Sequence, residues 1–477
     1  MLRRVVWIAL ALAACSAPKV AAQNLCSTTA QTKVACTLAN VYGVNGLTEG
    51  GALAPINQHE GVFGTSFLSN LSAVNSSIGA QLGELPLVSP ASGISFSFNK
   101  SLGILVPSEY NFGPILSERA STVGRHKILV GFSYQYFEFQ TLDGLNLNSL
   151  PAVFTQQDSA GCSVTTNNAG SCAYVRDVIT TRNSIDLRVN QYTAFVTFGL
   201  TSRFDISVAV PTINVRMAAT SEATIRNIGS DNQYSFLSGP GATQACTEAA
   251  PCFNRTFFNF NGATGVGDVT VRAKYELWKG ENAGFAVGTD VRFPTGDSLN
   301  YLGSGAYGVK PFAAVSFGIK RVSAHVNAGY EWNGSTFLAG NITPATGAPT
   351  KDNLPGQFVY SAGAEIGIIK RLSAAFDFLG QEFFNAPRIR AVPFPELGQC
   401  LSAPKVSTCN NNFGPDGATV DPNVQQFKAS YATQDVAAGL RFRLFGHFLL
   451  TGNVLFKVND AGLRSKYVPL VGITYSH

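Results

Sequence analysis

Polar and apolar side chains alternate residue by residue along many stretches of this chain, and this alternation restricts the fold more than any other feature. In GDVTVRAKYELWKG, from Gly267 to Gly280, apolar residues between Val269 and Leu277 alternate with polar residues between Asp268 and Glu276. A period of two residues is typical of a β-strand whose two faces meet different surroundings. Twelve such segments lie between Ile128 and Tyr475. The pattern therefore predicts an all-β protein.

The connections between these segments are alternately short and long. The short ones are residues 199–203, 279–283, 320–321, 370–371 and 445–446, and the long ones are 143–184, 211–265, 298–308, 334–353, 384–426 and 459–465. Transmembrane β-barrels have short periplasmic turns, longer external loops and an even number of strands. We therefore predict a transmembrane up-and-down antiparallel β-barrel of about 12 strands, or about 14 if the N-terminal region adds two. A soluble β-protein, the alternative, gives no reason to sort long loops to one end.

In such a barrel the apolar face points outward into lipid and the polar face points into the lumen. Only 13% of the residues are charged, whereas ordinary globular domains are about 25% charged. Closure pairs every backbone N–H and C=O group, as the hydrocarbon core of a membrane requires. Aromatic residues near strand ends fit the belts found at membrane surfaces; these are Tyr275, Trp278, Tyr330 and Trp332. Outer-membrane lipid is therefore a predicted partner.

The first 22 residues have the pattern of a secretory signal peptide. Arg3 and Arg4 precede an apolar stretch from Val5 to Ala14, and Val20 to Ala22 form a small-residue cleavage site. The tetrapeptide LAAC, ending at Cys15, also fits the lipid-attachment pattern of bacterial lipoproteins. Either interpretation predicts export, and with the barrel pattern it predicts a location in the bacterial outer membrane.

Residues 23–125 do not follow the barrel pattern. Residues 66–85 have loose helical spacing, and residues 93–106 have the pattern of a short hairpin. A barrel of twelve strands is wide enough to hold inserted chain. The predicted organisation is therefore a signal peptide at 1–22, a plug or periplasmic segment at 23–125 and a barrel at 126–477. A surface extension or two further strands are the alternatives for the middle part.

Eight cysteines form four sequence-local pairs, which favour disulfides in an oxidising compartment. The candidate pairs are Cys26 with Cys36, Cys162 with Cys172, Cys246 with Cys252, and Cys400 with Cys409. Metal binding is the alternative, but no CxxC motif or neighbouring histidine cluster supports it. No metal or cofactor is predicted.

Side chains at inward positions are the candidate functional residues. They are Phe137, Asp186, Arg188, Arg272, Lys274, Asp290, Arg292, His325, Glu331, Val359, Glu365, Asp377, Leu379, Arg441 and Arg443. The charged ones have mixed signs, which fits an internal lattice of ion pairs and not a strongly ion-selective pore. The apolar ones either line a path for hydrophobic solutes or contact a plug.

Enzymatic activity and nucleic-acid binding have little support in the sequence. A membrane hydrolase needs a nucleophile and a base on the lipid-facing side, and His325 has inward parity. No GxSxG, HExxH or Walker A motif occurs. The net charge is +5, with Lys and Arg dispersed singly among acidic residues. This dispersion predicts no nucleic-acid partner.

Four motifs in the central block resemble a bacterial outer-membrane family. They are FGLTSRFDISVAVPTINVRM (198–217), GVGDVTVRAKYEL (265–277), RFPTGD (292–297) and LGSGAYGVKPFAAVSF (302–317). The final YVPLVGITYS also fits, although many outer-membrane barrels end in Phe and this chain ends in ITYSH. The family is associated with the meta-cleavage pathway of phenol degradation and is loosely grouped with channels for fatty acids and aromatic hydrocarbons. The resemblance covers residues 126–477.

The resemblance implies a β-barrel that carries small hydrophobic or aromatic molecules across the outer membrane. We therefore expect a porin-like, monomeric, non-enzymatic channel for passive uptake, whose second partner is a small hydrophobic solute. The alternative is a structural or surface-display barrel whose disulfide-pinned external loops bind a partner. The sequence does not identify the solute.

Overall fold

The computed structural model describes the barrel and parts of the segment that precedes it. The described residues are 25–26, 32–42, 49–50, 74–82, 85, 96–99, 104–107, 112, 114–155, 177–227, 235–236, 252–342, 348–394 and 421–477. The predicted signal peptide and the cysteines 162, 172, 246, 400 and 409 lie outside these residues.

Twelve strands, numbered here in chain order, form the barrel. They are β1 (Ile128–Leu142), β2 (Asp177–Gly199), β3 (Phe204–Asn227), β4 (Val269–Lys279), β5 (Ala283–Phe293), β6 (Gly308–Ile319), β7 (Val322–Asn333), β8 (Gln357–Ile369), β9 (Leu372–Phe394), β10 (Asp421–Arg443), β11 (Phe448–Lys457) and β12 (Tyr467–Ser476). Each strand pairs antiparallel with the next, and β12 pairs with β1, which closes the sheet. The predicted twelve-strand, all-β barrel is confirmed.

The two ends of the barrel differ as the sequence predicts. At one end, called the short-turn end, residues 200–203, 280–282, 320–321, 370–371 and 444–447 connect the strands. At the other, the long-loop end, the connections contain the 13-residue strand Asn254–Val266 and shorter structured pieces. These are the strands Leu145–Asn146, Leu150–Thr155, Ser235–Phe236, Ser335–Thr336, Asp352–Asn353 and Leu463–Ser465 and the 3-10 turns Leu147–Ser149 and Ser298–Asn300.

The outer face of the barrel is apolar at the depth of a membrane. In β4, Tyr275 and Leu277 are exposed at 43% and 46%, whereas Lys274 and Glu276, which alternate with them, are exposed at 3% and 2%. A soluble protein would bury the apolar pair and hydrate the charged one. Lipid is the solvent that stabilises this inverted arrangement. Among the described residues, no helix is long and apolar enough to cross a membrane.

Strands β2 and β3 continue past this apolar band and form a projecting sheet. They contain 23 and 24 residues, whereas about 9–11 residues span a bilayer. Beyond the band, β2 pairs with Leu150–Thr155 and β3 pairs with Asn254–Val266. The projecting sheet is the four-stranded unit made by these segments.

The projecting sheet overturns the predicted positions of Asp186 and Arg188. Both side chains lie on its exposed outer face, where Arg188 Nε is 2.8 Å from Asp186 Oδ1. The residues between and beside them, including Leu187 and Val189, are buried on the inner face. The prediction that Asp186 and Arg188 point into the lumen is therefore wrong. Beyond the bilayer the outer face meets water, so polar residues belong outside although the alternation continues unbroken.

An N-terminal disulfide loop fills the inner side of the projecting sheet. This loop, residues 25–26 and 32–42, is closed by a disulfide between Cys26 and Cys36, as predicted. The Tyr42 hydroxyl lies 2.6 Å from Ser221 Oγ, and its ring centroid lies 4.9 Å from that of Phe257. Cys252 is also disulfide-bonded, but its partner lies outside the described residues, so pairing with Cys246 stays a prediction.

Two local predictions for the rest of the N-terminal segment are confirmed. Residues 74–82 form a helix, and Phe96–Asn99 pairs antiparallel with Ile104–Pro107 as a hairpin. A 3-10 turn at Val34–Cys36 and the pairing of Glu49–Gly50 with Ser235–Phe236 complete this part of the chain. The domain boundaries at residues 22 and 125 stay a prediction.

The lipid-facing side of β7 gives a direct test of the inverted barrel. Val326 lies midway along β7 and is 51% exposed. Replacing it with Arg should destabilise the folded barrel by about 2–4 kcal/mol, because a charge at the bilayer midplane loses its hydration. Urea unfolding from lipid vesicles measures this loss. Thr220→Arg, on the outer face of the projecting sheet, is the matched control and should change the unfolding free energy by less than about 0.5 kcal/mol. Equal losses for both variants would contradict the assigned membrane depth.

Candidate functional site

A segment of the N-terminal region crosses the lumen near the short-turn end. This lower segment comprises residue 112 and residues 114–123. Its backbone is hydrogen-bonded to barrel side chains: Ala120 N–H donates to Ser316 Oγ (2.8 Å) and Val123 N–H to Asp205 Oδ2 (2.9 Å). The Ser117 hydroxyl donates to Asp377 Oδ1 at 2.6 Å. Barrel side chains thus replace the β-ladder that this irregular backbone lacks, as a buried backbone requires.

The carboxylate of Glu118 holds the lower segment against β4. It accepts a hydrogen bond from Lys274 Nζ at 2.8 Å and another from the guanidinium of Arg272. Arg272 also contacts both carboxylate oxygens of Asp290, at 2.6 and 2.8 Å. The side chains of Glu118 and Lys274 are only 7% and 3% exposed. A buried charge without a partner is strongly destabilising, so each of these groups depends on the others.

The opposite wall holds the start of the lower segment through three further contacts. The Arg441 guanidinium donates hydrogen bonds to the carbonyl oxygens of Phe112 and Pro114. Glu365 accepts a hydrogen bond from the Phe112 N–H. The guanidinium of Arg443 lies over the Phe112 ring, 4.7 Å from its centroid. The lower segment is therefore fixed from both sides of the barrel.

Helix 74–82 lies across the lumen nearer the long-loop end. Gln81 accepts a hydrogen bond from Leu463 N–H, and Gln426 Nε2 donates to Ser76 Oγ at 3.0 Å. The Tyr301 hydroxyl donates to Asn75 Oδ1. Burial raises the pKa of the Tyr301 phenol well above its ordinary value, so the phenol keeps its proton and remains a donor.

Three adjoining cavities lie between helix 74–82 and the lower segment, and together they form the chamber, the candidate functional site. Their volumes are about 140, 160 and 70 Å³. Leu82 and Leu85 line the first cavity from above, and Leu116 and Glu118 line the second from below. Gln381 lines all three, so the cavities share one wall.

The chamber has one charged wall and one apolar wall. Strands β4 to β6 contribute Arg272, Asp290 and Lys310, with Lys310 Nζ 3.2 Å from Asp290 Oδ2. Most of the apolar side chains come from other strands and include Phe137, Phe139, Val359, Leu379 and Leu455, whereas Phe312 lies on β6. Acidic and basic side chains are equal in number around each cavity. The charged wall is therefore neutral overall.

The structure places thirteen of the fifteen predicted lumen residues on the inner side, all except Asp186 and Arg188. Arg272, Asp290, Arg292, Glu331, Val359 and Leu379 line the two larger cavities, and Phe137 lines the third. Lys274, Glu365, Asp377, Arg441 and Arg443 hold the lower segment instead. His325 lies below the chamber, where its Nδ1 is 2.8 Å from Ser316 Oγ.

Sequence reasoning missed four residues of the site: Glu118, Lys310, Phe312 and Gln381. Glu118 lies in a segment without any periodic pattern, so no signal in the sequence pointed to it. Gln381 lies just before the predicted connection 384–426, whereas the strand continues to Phe394. Lys310 and Phe312 could have been found, because β6 alternates from Gly308 onward.

The motifs that carry the family resemblance meet around one carboxylate. Asp268, from GVGD, accepts hydrogen bonds from the backbone N–H of Gly296 (3.0 Å), in PTGD, and of Ser304 (2.7 Å), in LGSG. A Cβ at Gly303 would lie 2.1 Å from Asp268 Oδ1, so only glycine fits there. The motifs GVGD, PTGD and LGSG therefore join two connections at the long-loop end and have a structural role. Among the described residues, no group of three or more potential metal ligands occurs.

The closed sheet and its apolar outer face define an outer-membrane β-barrel, and the chamber lies inside it. Residues 173–365 match the family model described as the MetA-pathway of phenol degradation. This match confirms the resemblance across the central part of the chain. No curated protein matches the chain by sequence.

Solved structures with a similar overall arrangement include two from Pseudomonas putida. An outer membrane channel from strain F1 is 11% identical, with a TM-score of 0.39, covering 75% of this chain and 98% of that one. The toluene transporter TodX is 10% identical, with a TM-score of 0.30, covering 83% and 98%. The transport unit of the autotransporter AIDA-I from Escherichia coli is 9% identical, with a TM-score of 0.34, covering 85% and 99%. All three TM-scores lie below 0.5, so the architecture of this chain rests on its own strand pairing.

The contact between Glu118 and Lys274 should contribute measurably to stability. Glu118→Gln removes the carboxylate charge that bonds the buried Lys274 ammonium, whose other hydrogen bonds go to the neutral carbonyl oxygens of Arg119 and Ser121, at 3.1 and 3.0 Å. We expect a loss of about 3 kcal/mol in the free energy of unfolding, because breaking a buried pair strands its partner. Lys274→Met in the Glu118→Gln background should recover more than about 1 kcal/mol, measured as a double-mutant cycle.

The exposed pair of Asp352 and Lys428, 2.6 Å apart with 46% and 50% exposure, is the control for this cycle. Asp352→Asn should cost less than about 1 kcal/mol, since exposed pairs contribute little. Additive losses for Glu118 and Lys274 would show that the two side chains do not interact as described.

Proposed function

We propose that the chain is a channel for passive uptake of small, neutral, hydrophobic or aromatic compounds across the outer membrane. The chamber carries this proposal: it lies within the barrel at membrane depth, has one apolar wall and is large enough for a single ring. The match to a family model named for phenol degradation supports an aromatic solute class. One chain encloses the chamber, so a monomer is sufficient.

The size of the second cavity supports a monoaromatic solute. Its volume is about 160 Å³, and Leu116, Phe312, Leu379 and Leu455 line it. An engineered cavity of about 150 Å³ lined by apolar side chains binds benzene. A few convergent polar groups, here on Gln381 and Thr433, would orient a solute that carries a hydroxyl group.

The charged wall supports selection of neutral solutes over ions. Arg272 and Lys310, the basic groups nearest the second cavity, already contact Glu118 and Asp290. An anionic solute would have to compete with a carboxylate that is fixed in place, and a cationic one would meet Arg272 and Lys310. Neutral compounds avoid the cost of losing hydration in a narrow lumen.

The lower segment and helix 74–82 together act as a plug in this proposal. Both lie across the lumen, so a solute reaches or leaves the chamber only when one of them moves. Both are held by polar contacts and by packing: Val74, Ile78 and Leu82 of the helix join the main apolar core, and Ile115 and Val123 of the lower segment join smaller apolar clusters. The polar contacts can be exchanged for contacts with water at modest net cost. Diffusion down a concentration gradient would then drive uptake.

Uptake of a neutral and a charged solute of similar size tests the proposal. The protein is reconstituted into vesicles that contain lipopolysaccharide, and entry of labelled phenol and benzoate is followed. Phenol should enter faster than in protein-free vesicles, and benzoate should not. Leu455→Trp, which adds bulk to a side chain shared by the second and third cavities, should slow phenol entry. An overpacking cost of about 1–3 kcal/mol corresponds to phenol entry that is slower by roughly five- to hundredfold.

Leu450→Trp is the matched control, because Leu450 lies on the same strand and faces lipid at 42% exposure. It should leave phenol entry unchanged. Equal effects of the two tryptophans would mean that the chamber is not the route. No acceleration by the wild-type protein would contradict the transport proposal.

A surface-display barrel is the second candidate, and one observation favours it. Within the described residues, the lumen is crossed by chain at two levels, and the projecting sheet extends beyond the membrane. Such a barrel would hold its plug permanently and present its long loops to a partner. Unaccelerated phenol entry in a correctly folded barrel would favour this function.

A further inference from the structure

The connections at the short-turn end are strongly basic, although their basic residues are far apart in the sequence. Together with residues 124–127, which lead into β1, they contain one acidic side chain, Glu281, and seven basic ones: Arg125, Lys127, Arg203, Lys320, Arg321, Lys370 and Arg371. Seven minus one gives a formal charge of +6, whereas the whole chain carries +5. Basic residues that are dispersed in sequence are thus gathered by the meander at one rim, here called the basic rim.

The backbone of this rim lies level with the ends of the strands. The carbonyl oxygen of Arg321 accepts from Gly367 N–H, that of Arg371 from Arg443 N–H, and that of Arg203 from Glu276 N–H, each at 2.8 Å. Each turn thus bonds to the next strand along the sheet. The basic side chains therefore start at the edge of the barrel wall and not from a loop that extends into solvent.

Apolar residues beside the turns show where the membrane surface lies. Ile319, next to Lys320, is 66% exposed, and Ile369, next to Lys370, is 55% exposed. Side chains this exposed and apolar on the outer wall belong in hydrocarbon. The adjacent basic groups then lie at the level of the lipid headgroups, within reach of phosphate oxygens.

The conformation of Lys320 provides a second observation. Its φ is +53°, in the left-handed region where two-residue hairpin turns favour Gly, Asn or Asp. A lysine there costs backbone free energy without improving the turn. A role of its charge in binding, and not in stabilising the turn, explains why a lysine occupies this position.

We propose that the basic rim binds the headgroups of anionic phospholipids in the leaflet that meets the short turns. Guanidinium groups bind phosphate oxygens with two parallel hydrogen bonds, and ammonium groups attract them as point charges. Each basic group near a membrane surface adds to this attraction, and salt screens it. The ring of contacts would fix the depth of the barrel in the bilayer. This proposal is independent of the transported solute.

Lipid selectivity at the barrel surface tests the proposal. The full chain is reconstituted in phosphatidylcholine bilayers, and the association of spin-labelled phosphatidylglycerol is compared with that of spin-labelled phosphatidylcholine. The wild-type protein should prefer phosphatidylglycerol by about fivefold. The preference should fall towards one in a variant that combines Lys320→Gln, Arg321→Gln, Lys370→Gln and Arg371→Gln.

The matched control removes four exposed basic groups at the long-loop end: Arg182→Gln, Lys351→Gln, Arg390→Gln and Lys466→Gln. It lowers the net charge equally and should keep the preference. A salt series on the wild-type protein makes the test independent of variant folding: the preference should disappear at about 1 M salt, where charges are screened within roughly 3 Å. An unselective wild-type protein, an unchanged rim variant or an equal loss in the control would each overturn the proposal. The proposal would also be overturned if the basic rim bound a soluble acidic protein and showed no selectivity among lipids.

Discussion

Backbone N–H and C=O groups within a bilayer have no water to bond, and this constraint shapes every other feature of the molecule. It requires the twelve strands to close through the pairing of β12 with β1. Closure gives each strand one lipid-facing side and one enclosed side. Hydrocarbon then requires apolar residues outside, and the polar half of each alternating strand is directed into a narrow space.

That space imposes a second requirement, because charged groups gathered in a lumen must find partners there. Arg272 and Asp290 satisfy one another across adjacent strands, whereas the carboxylate that bonds Lys274 does not come from Asp205, its neighbour on β3. Glu118 on the lower segment supplies it. The lower segment thus contributes to the stability of the barrel. The same contacts leave the chamber neutral overall, and the proposed preference for uncharged solutes rests on this neutrality.

The sequence predicted the barrel well, because an alternation of period two is imposed directly by the membrane. The prediction failed where a strand passes from the membrane into water while its alternation continues unchanged. Asp186 and Arg188 continue the alternation of β2, but at their level the strand has left the bilayer. Their polar side chains therefore face outward. Alternation was lost near Phe383 of β9, where a bulge interrupts the pairing with β10. Glu118 gave no signal, since its conformation follows from barrel side chains distant in sequence.

The most direct measurement locks the lower segment to the barrel and follows solute entry. The Cβ of Ala120 lies 3.4 Å from the position a Cβ would take at Gly284, close to the separation of about 3.5–4.5 Å in disulfides. Ala120→Cys with Gly284→Cys should therefore cross-link on oxidation in native membranes. Oxidation should stop phenol entry, and reduction should restore it. No cross-link would contradict the position of the lower segment, and unchanged entry through the cross-linked barrel would contradict its role as a movable plug.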